Sequence, residues 1–271
     1  MEHKLVIAGG DSFTFGHELS DDDNGKRASR VSWAYKLFQE IPNWANGYDF
    51  LNTAKGGIGN SAIARKVFDC VSMHQHKQKY VFVMWSFASR YDWAMPRHKL
   101  LEDTRWATIT PWDTSDGIDE ANRILSSNEP HLEGWRQRRE EMQETKVGPF
   151  ADNLYRYGAN RYHETYLSWK SIIWLQNILE KKKIPYLFTL ADNSLFYDQE
   201  NLVFQDDRLM KSMYKEIDFT NWFSFGERMM GFNQWTLLND YQRGVTHPLD
   251  QAHYDAVKLM KPKLDEILTY V

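Results

Sequence analysis

The chain has 271 residues, 42% of them hydrophobic and 26% charged, with 15 Gly and 8 Pro. That usage is globular and excludes collagen-like, low-complexity and wholly disordered chains. Its 33 basic and 37 acidic residues give a formal net charge of -4, without the basic excess that binding nucleic acid or an anionic membrane calls for.

A single cysteine, Cys70, excludes an intrachain disulfide. No apolar run approaches the roughly 18 residues of a membrane helix. Met1 to Lys4 lead straight into the short apolar stretch Leu5 to Ala8, which lacks the shape of a secretory signal. The expectation is a cytoplasmic protein with no membrane anchor. Aromatic residues are plentiful, with 11 Trp, 14 Tyr and 15 Phe, which suits either thick core packing or flat surfaces for a ligand.

In chain order, Leu5-Val6-Ile7-Ala8 is a continuous apolar run ending at glycines, the pattern of a strand buried on both faces. Apolar residues at 31, 34, 37, 38 and 41 predict a helix that Pro42 stops. A second strand is predicted over Tyr48 to Ala54, and a helix over Ser61 to His76 with Ile63, Val67, Cys70 and Val71 on one face. Tyr80 to Trp85 is the third strand. Tyr166 to Lys183 is a helix, Pro185 to Leu190 a fourth strand, and Asp250 to Val271 a closing helix that Pro262 kinks or interrupts.

Strands alternating with helices predict βαβ units and a mostly parallel sheet covered on both faces. Residues 92–164 and 193–246 break the alternation and read as insertions on a single domain. The charge run 135–146 reads as a solvated helix face. There is no internal repeat.

In such sheets functional groups gather beyond the carboxyl ends of the strands. After the first strand comes Gly9-Gly10-Asp11-Ser12-Phe13-Thr14-Phe15-Gly16, where a serine in a tight turn exposes its hydroxyl and its own N–H. The plain alternative is an N-cap, Asp11 or Ser12 opening a helix. After the second strand comes Asn52-Thr53-Ala54-Lys55-Gly56-Gly57-Ile58-Gly59-Asn60-Ser61, a glycine-rich turn before a helix that supplies free N–H groups. Gly57 to Ala62 also matches the G-x-G-x-x-A dinucleotide pattern, but the acidic residue expected to close the next strand is missing at Trp85-Ser86. Near the C-terminus Asp250 stands three residues before His253. At a helix start that spacing puts both side chains on one side, where the carboxylate can fix the imidazole tautomer.

Taken together, the Gly10-Asp11-Ser12 block, the Asn52-x-Ala54-x-x-Gly57 block and Asp250-x-x-His253 resemble the SGNH hydrolases, also called GDSL esterases and lipases. The resemblance implies a three-layer α/β/α, flavodoxin-like, mostly parallel sheet of about five strands. It implies Ser12 as nucleophile, His253 as general base and then acid, and Asp250 as the orienting carboxylate. The Ser12 and Gly57 N–H groups would stabilise the oxyanion, donors typically worth ~3 kcal/mol each. The family's third block, G-x-N-D, is absent: the third strand runs into Ser86-Phe87-Ala88-Ser89-Arg90-Tyr91-Asp92. Ser86, Ser89 or Asn60 would then have to donate in place of that asparagine.

Asp11, Arg90 and His247 are candidate substrate-binding residues. Arg90 either pairs with Asp92 or binds a substrate anion, and His247, before Pro248, either caps a helix or lines the pocket. His74 and His76, two apart on a helix, point away from each other and do not form a metal pair. Cys70 belongs to an apolar stripe and reads as core. Trp106, Trp112, Trp135, Trp222 and Trp235 either pack the insertions on the sheet or form a lid or sugar-stacking platform.

The function this implies is a serine hydrolase cleaving a carboxylic ester through an acyl-Ser12 intermediate, acylated or acetylated carbohydrates among the candidate substrates. No cofactor or metal is called for, the partner is a small-molecule or carbohydrate ester, and neither nucleic acid nor membrane is expected. Two alternatives are a non-catalytic binding or structural protein on the same fold, and a nucleotide-binding protein using the Gly56–Ser61 loop.

Overall fold

The structure is a computed structural model and describes residues 4–76, 78–94, 106–126, 136, 139–140, 147–197 and 207–269. In chain order the elements are β1 (Lys4–Gly9), α1 (Ser12–Phe15), α2 (Trp33–Gln39), α3 (Trp44–Gly47), β2 (Tyr48–Asn52), α4 (Asn60–Met73) and β3 (Lys79–Trp85). Then come β4 (Tyr91–Ala94), β5 (Trp106–Ile109), α5 (Ser115–Leu125), α6 (Gly148–Asn153), α7 (Arg161–Lys181) and β6 (Tyr186–Leu190). The chain closes with α8 (Ser194–Tyr197), α9 (Arg208–Glu216), α10 (Phe232–Leu238) and α11 (Asp250–Thr269).

The main sheet has the order β2-β1-β3-β6, and all three of its pairings are parallel. Side chains alternate across a strand, so the continuous apolar runs feed two cores at once. Leu5 and Ile7, Val81 and Val83, and Tyr186 and Phe188 face one side, where α4 and α7 supply Ile63, Val67, Ile172 and Leu175. Val6 and Ala8, Phe82 and Met84, and Leu187 face the other, against Trp33 and Leu37 of α2 and Ala256 and Met260 of α11. The result is the three-layer α/β/α architecture with a flavodoxin-like strand order.

Three details differ from the sequence reading. Among the described residues the sheet has four strands where about five were expected; next to β6 stands a single parallel bridge, Phe188 with Trp222. The helix predicted from Tyr166 begins at Arg161, because the Asn160 side chain caps it by accepting from the His163 N–H. Pro262 leaves α11 unbroken. Pro262 and Lys258, whose carbonyl loses its helical partner, are both exposed residues.

In the first insertion β4 and β5 pair antiparallel, and Tyr91, Ala107, Ile109, Val147 and Ala151 form a small core of their own. Trp222 and Trp235 pack into the two main cores, whereas Trp112 is exposed and Trp106 lies under the Arg65 guanidinium. Cys70 packs at the margin of the α4 core and is only partly buried. Trp135 and most of the charge run lie outside the described residues. No described helix is long and apolar enough to cross a membrane.

Candidate active site

Ser12 owes its position to the end of β1. A side chain at Gly10 would sit 3.2 Å from the Met84 carbonyl oxygen and closer still to Thr14, so only glycine lets the chain turn there. Asp11 caps the single turn of α1, accepting from the Phe13 N–H at 3.0 Å. Gly16, in the left-handed region, closes the turn by donating to the Ser12 carbonyl. The Ser12 N–H and the N–H of Gly57, which has φ +79°, have no hydrogen-bond partner among the described residues.

The imidazole that meets Ser12 is that of His247: its Nε2 lies 2.7 Å from Ser12 Oγ. His247 sits in the loop between α10 and α11, which is pinched by a bridge between Arg243 and Pro248. Gly244 donates to the His247 carbonyl, and the Arg243 guanidinium ties the loop to Thr236, Asn233 and the Thr246 carbonyl. The ring stands edge-on to Phe13, 5.1 Å between centroids.

The other ring nitrogen, Nδ1, has the Thr246 hydroxyl at 2.9 Å and Glu18 Oε1 at ion-pair distance, 3.1 Å. Burial by itself would raise the Glu18 pKa. Its contacts with His247, and the Thr246 and His247 N–H groups that it accepts, outweigh burial and lower it to about 2. His17 lies beside His247, 6.0 Å between centroids, and packs on Gly56. Burial first, and then the neighbouring His247, lower the His17 pKa to about 4.

Asp250 and His253 are not at Ser12, which corrects the expectation drawn from their spacing. His253 is 1% exposed. Its Nδ1 accepts from the Trp33 N–H at 3.0 Å, its other nitrogen is engaged by the Pro248 carbonyl, and its ring abuts Phe232. Burial above all, and then the His247 charge, lower its pKa to about 3, so it is a neutral core histidine. The reason is periodic: in α11 the buried positions are Ala252, His253, Ala256, Val257 and Met260, one apolar face that includes the histidine. Asp250 accepts from the Ser20 N–H at 3.0 Å and from the Ser20 hydroxyl, anchoring the loop that carries Glu18.

Two of the proposed substitutes for the missing asparagine, Asn60 and Ser86, are also committed elsewhere. Asn60 donates to the Ser86 carbonyl and to Ser168 Oγ, each at 3.0 Å, and accepts from the Ser86 N–H at 2.7 Å. It clamps the loop after β3 to α4. Ser86 Oγ donates to the Asp11 carboxylate at 2.6 Å. Arg90 does not pair with Asp92, which Arg65 holds at 2.9 Å; it donates instead to Asp11 at 2.7 Å. Asp11 is therefore a fully buried strut in this network and presents no free carboxylate to a ligand. In the Gly56–Ser61 loop the Arg90 backbone lies directly against Gly59, at the start of α4.

No family model matches the chain, and no curated protein matches it. Among solved structures it is similar to a lipolytic G-D-S-L family protein from Veillonella parvula, with 12% identity, TM-score 0.44, and 99% of this chain and 100% of that one covered. It is also similar to an esterase from Pseudoalteromonas, with 9% identity, TM-score 0.45 and 98% of each chain covered. A third is an acetyl xylan esterase from Butyrivibrio proteoclasticus, with 12% identity, TM-score 0.44, and 99% of this chain and 65% of that one covered. The functional reading of the chain stands on the geometry around Ser12.

Proposed function

We propose that the protein is a serine esterase in which Ser12 is the nucleophile and His247 the general base. The observation that carries this is the 2.7 Å contact between Ser12 Oγ and His247 Nε2, which joins residues from opposite ends of the sequence. At that distance the imidazole takes the hydroxyl proton as Oγ attacks an ester carbonyl, and then returns it to the departing alcohol. Water, deprotonated by the same ring, releases the acid from acyl-Ser12. The unpartnered N–H groups of Ser12 and Gly57 are the oxyanion donors. Thr110 of the first insertion lies 3.6 Å from the space beside Gly57, and Trp112, two residues on, is 40% exposed. The Trp112 indole is a flat ring on which a sugar face can stack, so an acylated sugar is the substrate class put to the test.

The test is hydrolysis of p-nitrophenyl acetate and of acetylated xylo-oligosaccharides by the wild-type chain and by Ser12→Ala. Turnover that disappears with the hydroxyl supports the reading, while turnover that survives overturns it. The commitment of the Asn60 and Ser86 side chains favours one second reading, a binding protein on this scaffold. That reading predicts sugar-ester binding without hydrolysis.

A further inference from the structure

We infer that Glu18 is the carboxylate that positions His247, and that it acts from the place a side chain at residue 244 would otherwise fill. This rests on the esterase reading and adds a positioning residue to it.

Three observations carry the inference. First, Glu18 lies more than two hundred residues before the histidine, yet its carboxylate gathers donors from one short segment. It accepts from the Thr246 N–H at 3.1 Å, the Thr246 hydroxyl at 3.1 Å and the His247 N–H at 3.2 Å, with Nδ1 of the ring at 3.1 Å. The Glu18 side chain is 4% exposed, so these contacts act where water does not screen them.

Second, Gly244 stands three residues before His247, the spacing at which the D-x-x-H pattern carries its carboxylate. Its N–H bonds the His247 carbonyl, which holds position 244 close to the main chain of residue 247. Gly244 is not among the glycines with positive φ, so its backbone accepts an L side chain. What bars a side chain there is occupancy, because a Cβ would fall within contact distance of Glu18 Oε2.

Third, the loop around Glu18 is built to hold it. Glu18 adopts φ +67°, unfavourable for a residue other than glycine. Its N–H is held by Asp22 at 2.9 Å, and Ser20 is fastened to Asp250 at the head of α11. The carboxylate is ionised at neutral pH, the form that stabilises the imidazolium generated when Ser12 gives up its proton.

A carboxylate that only tied two loops together would affect folding and not turnover. The experiment therefore compares wild type, Glu18→Gln, Glu18→Ala, Gly244→Ala and the double variants Glu18→Ala/Gly244→Asp and Glu18→Ala/Gly244→Ala. The readouts are p-nitrophenyl acetate kinetics, thermal melting and the NMR signal of the His247 Nδ1 proton.

Glu18→Gln, which keeps the shape of the side chain, should lower kcat by about 10²- to 10⁴-fold with little change in KM. Gly244→Ala should lower kcat in the wild-type background and leave it unchanged in Glu18→Ala. Glu18→Ala/Gly244→Asp should recover at least about tenfold over Glu18→Ala and restore the downfield Nδ1 proton. Glu18→Gln within about threefold of wild type overturns the proposal and leaves the esterase reading standing. A folded double variant that recovers neither rate nor proton signal does the same. A wild-type chain that turns over no ester overturns both.

Discussion

The two histidines near the C-terminus should separate by their effect on turnover. His253→Ala removes the acceptor of the Trp33 N–H, and Trp33 is fully buried. An orphaned buried donor costs about 1–3 kcal/mol, and the void left against Phe232 adds about 1–2 kcal/mol more. For a chain of this size each kcal/mol moves Tm by about 2–4 °C, so the variant should melt roughly 4–20 °C lower. Assayed well below that melting point, it should keep ester turnover within about tenfold of wild type. His247→Ala, assayed well below its own melting point, should reduce kcat by about 10²- to 10⁴-fold or more, the loss of its contact with the buried Glu18 also lowering Tm. Differential scanning calorimetry and initial-rate kinetics on the same preparations decide it. A His253→Ala chain that melts normally but is inactive, beside an active His247→Ala chain, would refute the assignment.

Other expectations follow from the buried groups. His253 and His17 have folded pKa values of about 3 and 4, against 6.5 for the free side chain. Below pH 6.5 the unfolded chain therefore binds protons that the folded chain refuses, and stability should fall as pH drops toward 4, by up to about 2.7 kcal/mol per pH unit. Urea unfolding across that range should show the slope, and His253→Gln should flatten it. Glu18, lowered from 4.5 to about 2, adds a second loss at lower pH, and Glu18→Gln should remove it. Arg90→Leu strands the buried Asp11 carboxylate and should cost about 3–5 kcal/mol in urea unfolding, partly recovered by Asp11→Asn. Asn60→Leu unpairs the Ser86 N–H and carbonyl and should cost about 2–4 kcal/mol by the same measurement.

The fold was legible because the buried strands announce themselves. Runs such as Tyr80 to Trp85 face apolar layers on both sides, and few other structures bury every residue in turn. Ser12 was legible as a candidate for a local reason, the glycines and the helix cap around it. His247 and Glu18 were not legible in the same way. The D-x-x-H spacing at Asp250 drew attention to His253, although the apolar period of α11 already runs through that residue. Glu18 is one acid in a polar stretch with Asp21, Asp22 and Asp23, and no spacing rule connects it to a loop more than two hundred residues later. Only the folded chain brings that contact together. The missing third-block asparagine was readable as an absence, but its consequence was not. Of its candidate replacements, Ser86 Oγ is spent on Asp11 and Arg90, and the Asn60 amide on the Ser86 backbone and Ser168.

The central claim is that Ser12 and His247 share a proton. A fluorophosphonate probe followed by intact-mass and peptide analysis tests it directly. One adduct should form on Ser12, be absent in Ser12→Ala, slow by about 10²-fold or more in His247→Ala and persist in His253→Ala. An adduct on another residue, or Ser12 labelling that ignores His247 and depends on His253, would contradict the account.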